Sequence, residues 1–266
     1  MARPDTATVL DTNNPNPARV CNALLGGRDY YELDHLIAKP LLGSQLATAM
    51  AEARRFARRA VEYLSTAHQV TQVVELGCGI PMSPDIGEIA AHASSTARTL
   101  YIDNDLLVAT HARALLTEPN GAVAQIDLTD VDAVLAQITA AMDPAAPLAI
   151  CLSGTAELFA DAPAVLDTLT CQLPPGTWIV FSHVTDDIAG DDIGRAVEVL
   201  GNGGIAFHPR DRDTITTMLA PYRLADPGLI AAHRWRPTAT DHDTLRPLHP
   251  DAWDLCAYAA VGQLPR

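Results

Sequence analysis

Lysine is all but missing from this chain. Of 18 basic residues among 266, only Lys39 is a lysine, and 32 acids bring the formal net charge to −14. An acidic chain of this kind lacks the broad basic surface that neutralises phosphates, which argues against nucleic acid as substrate or partner. It is equally ill suited to an anionic membrane surface. No apolar run nears the ~18 residues that cross a bilayer, and no apolar stretch follows Met1, so neither an anchor nor a secretory signal is expected. The five cysteines form no CxxC and no zinc-spaced cluster with histidine. They read as small thiols of a reducing, cytoplasmic compartment. The acidic run at 186–192 lacks calcium-loop spacing, so no metal is expected there. The absence of GxxxxGK[ST] excludes a P-loop NTPase, and no internal repeat is present.

What is present is a rhythm of strands and helices. With 48% hydrophobic residues the chain can build a sizeable core, as one large α/β domain or two small ones. After a polar arm over 1–17, a helix is expected over 44–68, with Leu46, Met50, Ala53, Phe56 and Leu64 on one side. Arg54, Arg55, Arg58 and Arg59 read as its solvated face. Strands are expected at 72–76, 98–103, 122–128, 147–154 and within 173–184. They alternate with helices at 83–94, 106–118, 130–142 and near 161–172. Ser83 and Pro84 read as the cap and first residue of one helix, and Pro119 as the stop of the next. Near-continuous apolar strands between helices mean an α/β fold with a parallel sheet covered on both faces. Such sheets bind ligands beyond the C-terminal ends of their strands. The region near 185–210 is acidic and glycine-bearing and reads as a mobile insertion. Beyond it come a helix over 212–220 capped by Asp211, two strands about Asp226-Pro227-Gly228, and a strand ending the segment 251–263. Trp178, Trp235 and Trp253 read as core or edge residues.

The strongest chemical signal is "VVELGCGIP" at 73–81. A strand ends near Glu75, turns through Gly77, Cys78 and Gly79, and feeds a helix whose free N–H groups face any ligand. Asp103 closes the second strand, 24 residues after Gly79, where a carboxylate can accept from ribose hydroxyls. Asp127 closes the third and can reach an adenine amino group, with Leu128 adding backbone and apolar contact. Three successive strand ends therefore describe a nucleoside site. Met82 stands where a dinucleotide fingerprint needs its third glycine, so a nicotinamide-dependent oxidoreductase is the less favoured alternative. S-adenosylmethionine carries no phosphate, and its charged amino-acid end suits Glu75 and the loop backbone.

The stretches "PARV…LLGGRD", "ELGCGIP", "YIDND", "THARALL", "LPPGTWIVFSH", "DPGLI…HRWRP" and "YAAVGQ" span most of 11–263. On them the chain resembles the actinobacterial S-adenosylmethionine-dependent methyltransferases first grouped as DUF574. The resemblance implies a class I, Rossmann-like fold: a seven-stranded, mostly parallel sheet with helices on both faces. It also implies an N-terminal helical cover over 1–68 on a cofactor-binding core over 69–266. Cofactor contacts are implied at Gly77, Gly79, Asp103, Asn104, Asp127 and Leu128, with Arg19, Gly26 and Asp29 nearby. Cys78 and Ser153 complete the expected cofactor set.

Methyl transfer is an in-line displacement, so the protein supplies alignment and, for an O–H, protonated amine or weak carbon nucleophile, a base. Glu157, where the family usually has histidine, together with His183 and Tyr30, are the catalytic candidates. Cys21, Tyr31, Glu157 and His208 are the acceptor candidates. Cys21-Asn22-Ala23 replace an aromatic–acidic–aromatic triplet of the family, so substrate choice is expected there. The expected acceptor is a small secondary metabolite, methylated at an aromatic or indole-like carbon, an amine or a hydroxyl. A homodimer is admissible. A protein that binds the cofactor without turnover is the further alternative.

Overall fold

Side-chain caps set most of the element boundaries. The structure, a computed structural model, describes residues 11–116, 120–238 and 255–266. The first ten residues of the expected arm, the Pro119 stop and Trp253 lie outside them. The strands are β1 (Gln72–Leu76), β2 (Arg98–Asp103), β3 (Gly121–Gln125), β4 (Leu148–Ser153), β5 (Trp178–Val184), β6 (Arg223–Leu224), β7 (Ile230–Ala231) and β8 (Ala257–Gln263). The helices are α1 (Pro17–Leu24), α2 (Glu32–Ala38), α3 (Gln45–Ala67), α4 (Ile86–Ala93), α5 (Leu106–Leu115), α6 (Val131–Ala141), α7 (Ala162–Gln172), α8 (Gly190–Asn202) and α9 (Arg212–Met218). Ser44, Asp105, Asp130 and Asp211 each accept backbone N–H groups at the start of α3, α5, α6 and α9. At α4 the expected Ser83 cap is displaced by Asp85. Its carboxylate accepts from Gly87 and Glu88 while Glu88 accepts from the Asp85 N–H, a reciprocal box that Ser83 and Pro84 cannot form.

The sheet runs β3-β2-β1-β4-β5-β8-β6, with β7 also on β8. The first five strands are parallel and β8 is antiparallel to β5. The two strands about Asp226-Pro227-Gly228 do not pair with each other. β6 joins β8 at Gly262 and Gln263, and β7 joins it at Tyr258 and Ala259. They are one edge strand interrupted by a turn, so eight strand segments occupy seven sheet positions.

Alternation along each strand sorts side chains into two layers. Val73, Tyr101, Cys151 and Val180 pack with α1, α3, α4, α5 and α8. Val74, Leu100, Ile150 and Phe181 pack with α6, α7 and α9. The expected mobile insertion belongs to the first layer: α8 buries Ile193, Ala196 and Leu200 there. The arginines of α3 are not a solvated face either. Arg59 is buried, pairs with Glu52 at 2.7 Å and donates to the carbonyls of Ala232 and Trp235. It ties the chain after β7 to α3, where Phe56 meets Trp235 edge-on at 5.3 Å.

Over the strand ends lie α1 and α2, joined by the "LLGGRD" turn. Gly26 takes φ +80 and its N–H reaches the Ala23 carbonyl. A Cβ on Gly27 would overlap the Asn22 side chain, which itself accepts from the Asp29 N–H at 3.0 Å. Fully buried Asp34 accepts from the N–H groups of Asn16 and Tyr31 and from Arg19 Nε. Asn16 also caps α1 and donates to Asp105 at 2.8 Å, so the cover is bonded to the cap of α5. Among the described residues no helix is long and apolar enough to cross a membrane.

Candidate active site

Parallel strands end together, and their loops leave a space that no side chain fills. Here it is a cavity of about 590 Å³ beyond β1, β2 and β4, lined by α3 and by Pro17, Ala18 and Cys21 of α1. The glycine loop forms one side. Gly77 and Gly79 have φ +71 and +61, and a Cβ at Gly77 would overlap Thr155. Asp103 braces the loop: Oδ2 accepts from the Gly79 N–H at 2.9 Å and Oδ1 from the Asp105 N–H at 3.0 Å. Burial raises its pKa, against the pull of those bonds. Glu75 opens onto the cavity, and burial pushes its carboxyl up to about 8, only partly offset by the Arg54 guanidinium.

Asp127 and Leu128 also line the wall. They stand in the turn after β3, which stops at Gln125 rather than 128 because Asp127 folds back to accept from Thr129 N–H and hydroxyl. Cys78, Asn104 and Ser153 complete this group, with Ser153 Oγ bonded to Ser182 Oγ and the Ala53 carbonyl. At the far side stand Cys21, Met50, Val184 and Phe207 with Glu157. Glu157 Oε1 accepts from the Val184 N–H at 2.7 Å, while Oε2 has no partner.

Several expected site residues lie elsewhere. His183 is fully buried on the opposite face of the sheet, beside Phe181, because strand alternation puts it out of step with Ser182 and Val184. Its ring bonds the Val184 carbonyl and Arg210, and burial lowers its pKa. Tyr30 stacks on His35 at 5.4 Å, and exposed Tyr31 lies under Arg19. Gly26, Asp29 and His208 are also outside the lining; His208 meets Glu157 only through backbone. Arg19 touches the cavity, but its guanidinium is bonded to Asp34 and to the carbonyls of Asp11 and Asn14. Of the triplet at 21–23, only Cys21 lines the cavity. Sequence reasoning missed Arg54, Arg58 and Asp85. The signal was available: Arg54 and Arg58 stand four residues apart, directly in line with Met50 on α3.

An antiparallel strand set between the fifth parallel strand and the sheet edge separates this fold from all-parallel dinucleotide folds. Together with the loop and the acids after β2 and β3, it defines a class I methyltransferase. The chain belongs to the S-adenosyl methyltransferase family, whose model matches residues 4–265. It is similar to a DUF574 family protein from Streptomyces avermitilis, with 27% identity and TM-score 0.87 over 96% of this chain and 99% of that one. A proposed methyltransferase from Thermobifida fusca matches with 28% identity and TM-score 0.85, over 96% of this chain and 97% of that one. The fold extends to a plantazolicin methyltransferase solved with S-adenosylhomocysteine, with 14% identity and TM-score 0.54 over 94% and 96%. No curated protein matches the chain. S-adenosylmethionine is the cofactor of this family, and the oxidoreductase alternative falls.

Proposed function

We propose that the chain transfers a methyl group from S-adenosylmethionine to a small molecule held inside the cavity itself. The observation that carries this reading is the shared lining: the glycine loop and the strand-end acids border one cavity of about 590 Å³ with Cys21, Met50, Val184 and Phe207, an apolar wall for a small acceptor. The donor set fits the cofactor. The lining offers carboxylates for hydroxyl, amino and ammonium groups. Asp103 would take the ribose hydroxyls, Asp127 and Leu128 the adenine, and Gly77 and Gly79 would let backbone approach closely. Glu75 would face the ammonium group.

When bound, the cofactor supplies an activated methyl group on a sulfonium. The chain must then place an acceptor in line and hold its proton. Glu157 is the residue placed for the second task. Its Oε1 is fixed by the Val184 N–H, and its Oε2, buried and without a partner, would take a donor from an acceptor that reaches it. An amine, a hydroxyl or an indole-like N–H all meet that requirement, in keeping with a secondary metabolite. Labelled-methyl turnover across a panel of such acceptors tests the proposal. Glu157→Gln should keep cofactor affinity and lose turnover by about 100-fold or more, the usual range for removing a general base. Full activity in that variant removes Glu157 from the role. Cofactor binding without turnover on any acceptor would favour a non-catalytic binder.

A further inference from the structure

Arg210 is a buried cation that the cavity does not use. Among the described residues no carboxylate lies within ion-pair distance of it. Its guanidinium is directed instead at the turn that carries Glu157. Nη1 donates to the carbonyls of Ala156 at 2.9 Å and His208 at 3.3 Å, and Nη2 to those of Phe159 and Ala160 at 2.9 and 3.1 Å. The carbonyls at 156, 159 and 160 bracket Glu157. The same stretch is tied by backbone, since the His208 N–H donates to the Glu157 carbonyl at 2.7 Å and the Arg210 N–H to that of Val184 at 3.2 Å. Nη1 also donates to His183 Nε2 at 2.8 Å. A guanidinium only donates, so Nε2 must accept, and the ring proton sits on Nδ1, bonded to the Val184 carbonyl at 2.7 Å. The imidazole is therefore neutral. Its Nδ1 lies 3.9 Å from Glu157 Oε1, the oxygen held by the Val184 N–H. Arg210, a neutral His183 and Glu157 thus stand in a row, and Glu157 is the foremost negative charge acting on Arg210, ahead of Asp161.

We infer that Arg210 and His183 are positioning residues for Glu157: the guanidinium fixes the turn that bears it and, across a neutral imidazole, supplies the positive charge that answers its carboxylate. The inference deepens the acceptor-side reading above and rests on Glu157 holding the acceptor's proton. A buried carboxylate left without a counter-charge is costly, and a reacting group misplaced by about 1 Å can cost about 100-fold in rate. Neither Arg210 nor His183 lines the cavity, so both act through Glu157 rather than on a ligand.

Nitrogen NMR of the histidine rings in the full chain tests this, with the His183 signal assigned by its loss in His183→Gln. Burial and Arg210 disfavour the charged ring, whereas Glu157 and the Val184 carbonyl favour it. The other groups beside it are Tyr258, its cross-strand partner on β8, and Arg212 over the Tyr258 ring at 5.1 Å. In wild type His183 should keep one proton, on Nδ1, from about pH 8 to 5, the range in which an ordinary imidazole titrates. Arg210→Met leaves Glu157 as the charge beside the ring, so His183 should take up a second proton within that range. A wild-type ring that is charged at neutral pH or protonated on Nε2, or an unchanged titration in Arg210→Met, overturns the inference. Labelled-methyl turnover on small amines, alcohols and indoles is the second arm, and it serves if Arg210→Met does not fold. Arg210→Lys keeps the charge and loses the planar fork. It should lose about 10- to 100-fold in kcat while its affinity for S-adenosylhomocysteine stays within about twofold. In a Glu157→Gln background it should cost nothing further, and an equal further loss there would make Arg210 merely structural. Full activity of Glu157→Gln would instead bring down the base on which the inference rests.

Discussion

Replacing Glu75 with Gln probes the electrostatics of the site most sharply. With its carboxyl raised to about 8, Glu75 is about nine-tenths protonated at pH 7 in the free protein. An arriving ammonium favours the carboxylate, so binding must drive off that proton, at a cost of about 1.4 kcal/mol at pH 7. Two consequences follow for the wild type. Binding of S-adenosylhomocysteine at pH 7 releases about 0.9 proton from this group, and affinity climbs toward about tenfold per pH unit below 8 before levelling off. Free-protein stability moves the other way. Between the ordinary glutamate value of 4.5 and about 8, the native state holds a proton that the unfolded chain has shed, so stability falls as pH rises through this window. Glu75→Gln removes both effects: it binds more weakly, with that proton release gone, and it is more stable than wild type above pH 8. Calorimetry in buffers of different ionisation enthalpy counts the protons. Identical proton release in wild type and Glu75→Gln would refute the reasoning.

Two further outcomes follow from buried charge. Asp103→Ala removes the acceptor of the Gly79 N–H and the proposed ribose contact together. Cofactor affinity should fall by at least about 100-fold, as two charge-assisted bonds are lost, and an unchanged dissociation constant by calorimetry would contradict the assignment. Arg59→Met takes one half from the buried Glu52 pair and releases the carbonyls of Ala232 and Trp235. Chemical denaturation should show a loss of about 3 kcal/mol or more, and a loss under about 1 kcal/mol would mean that the segment after β7 is held by packing alone.

How legible this site was in the sequence depended on what each signal reports. β1 and β2 were readable to the residue because apolar runs ended at a glycine and at an acid. The same strand-end logic placed Glu75, Asp103 and Asp127 around one cavity, since parallel strands must finish on the same side. His183 was misplaced although its parity was readable: it is one step out of phase with Val180, Ser182 and Val184, and so faces the other layer. Tyr30 and Tyr31 could not be placed from local pattern, because the path of the cover is set by long-range bonds from Asp34 to Asn16 and Arg19. The helix α8 was hidden by its acids and glycines, which weaken local propensity while Ile193, Ala196 and Leu200 supply tertiary burial. Arg54 was read as solvated because charge on a helix usually is, although its four-residue step from Met50 puts it on the packed side of α3.

In the proposed complex S-adenosylmethionine lies between the glycine loop and α3, with its reacting end toward Cys21, Phe207 and Glu157. A crystal structure of the full chain with S-adenosylhomocysteine tests it directly. Adenosine is expected against Asp103 and Asp127, the amino-acid end beside Glu75, and the sulfur facing Glu157. A ligand bound outside this cavity, or seated in it with its amino-acid end at Asp127, would contradict it.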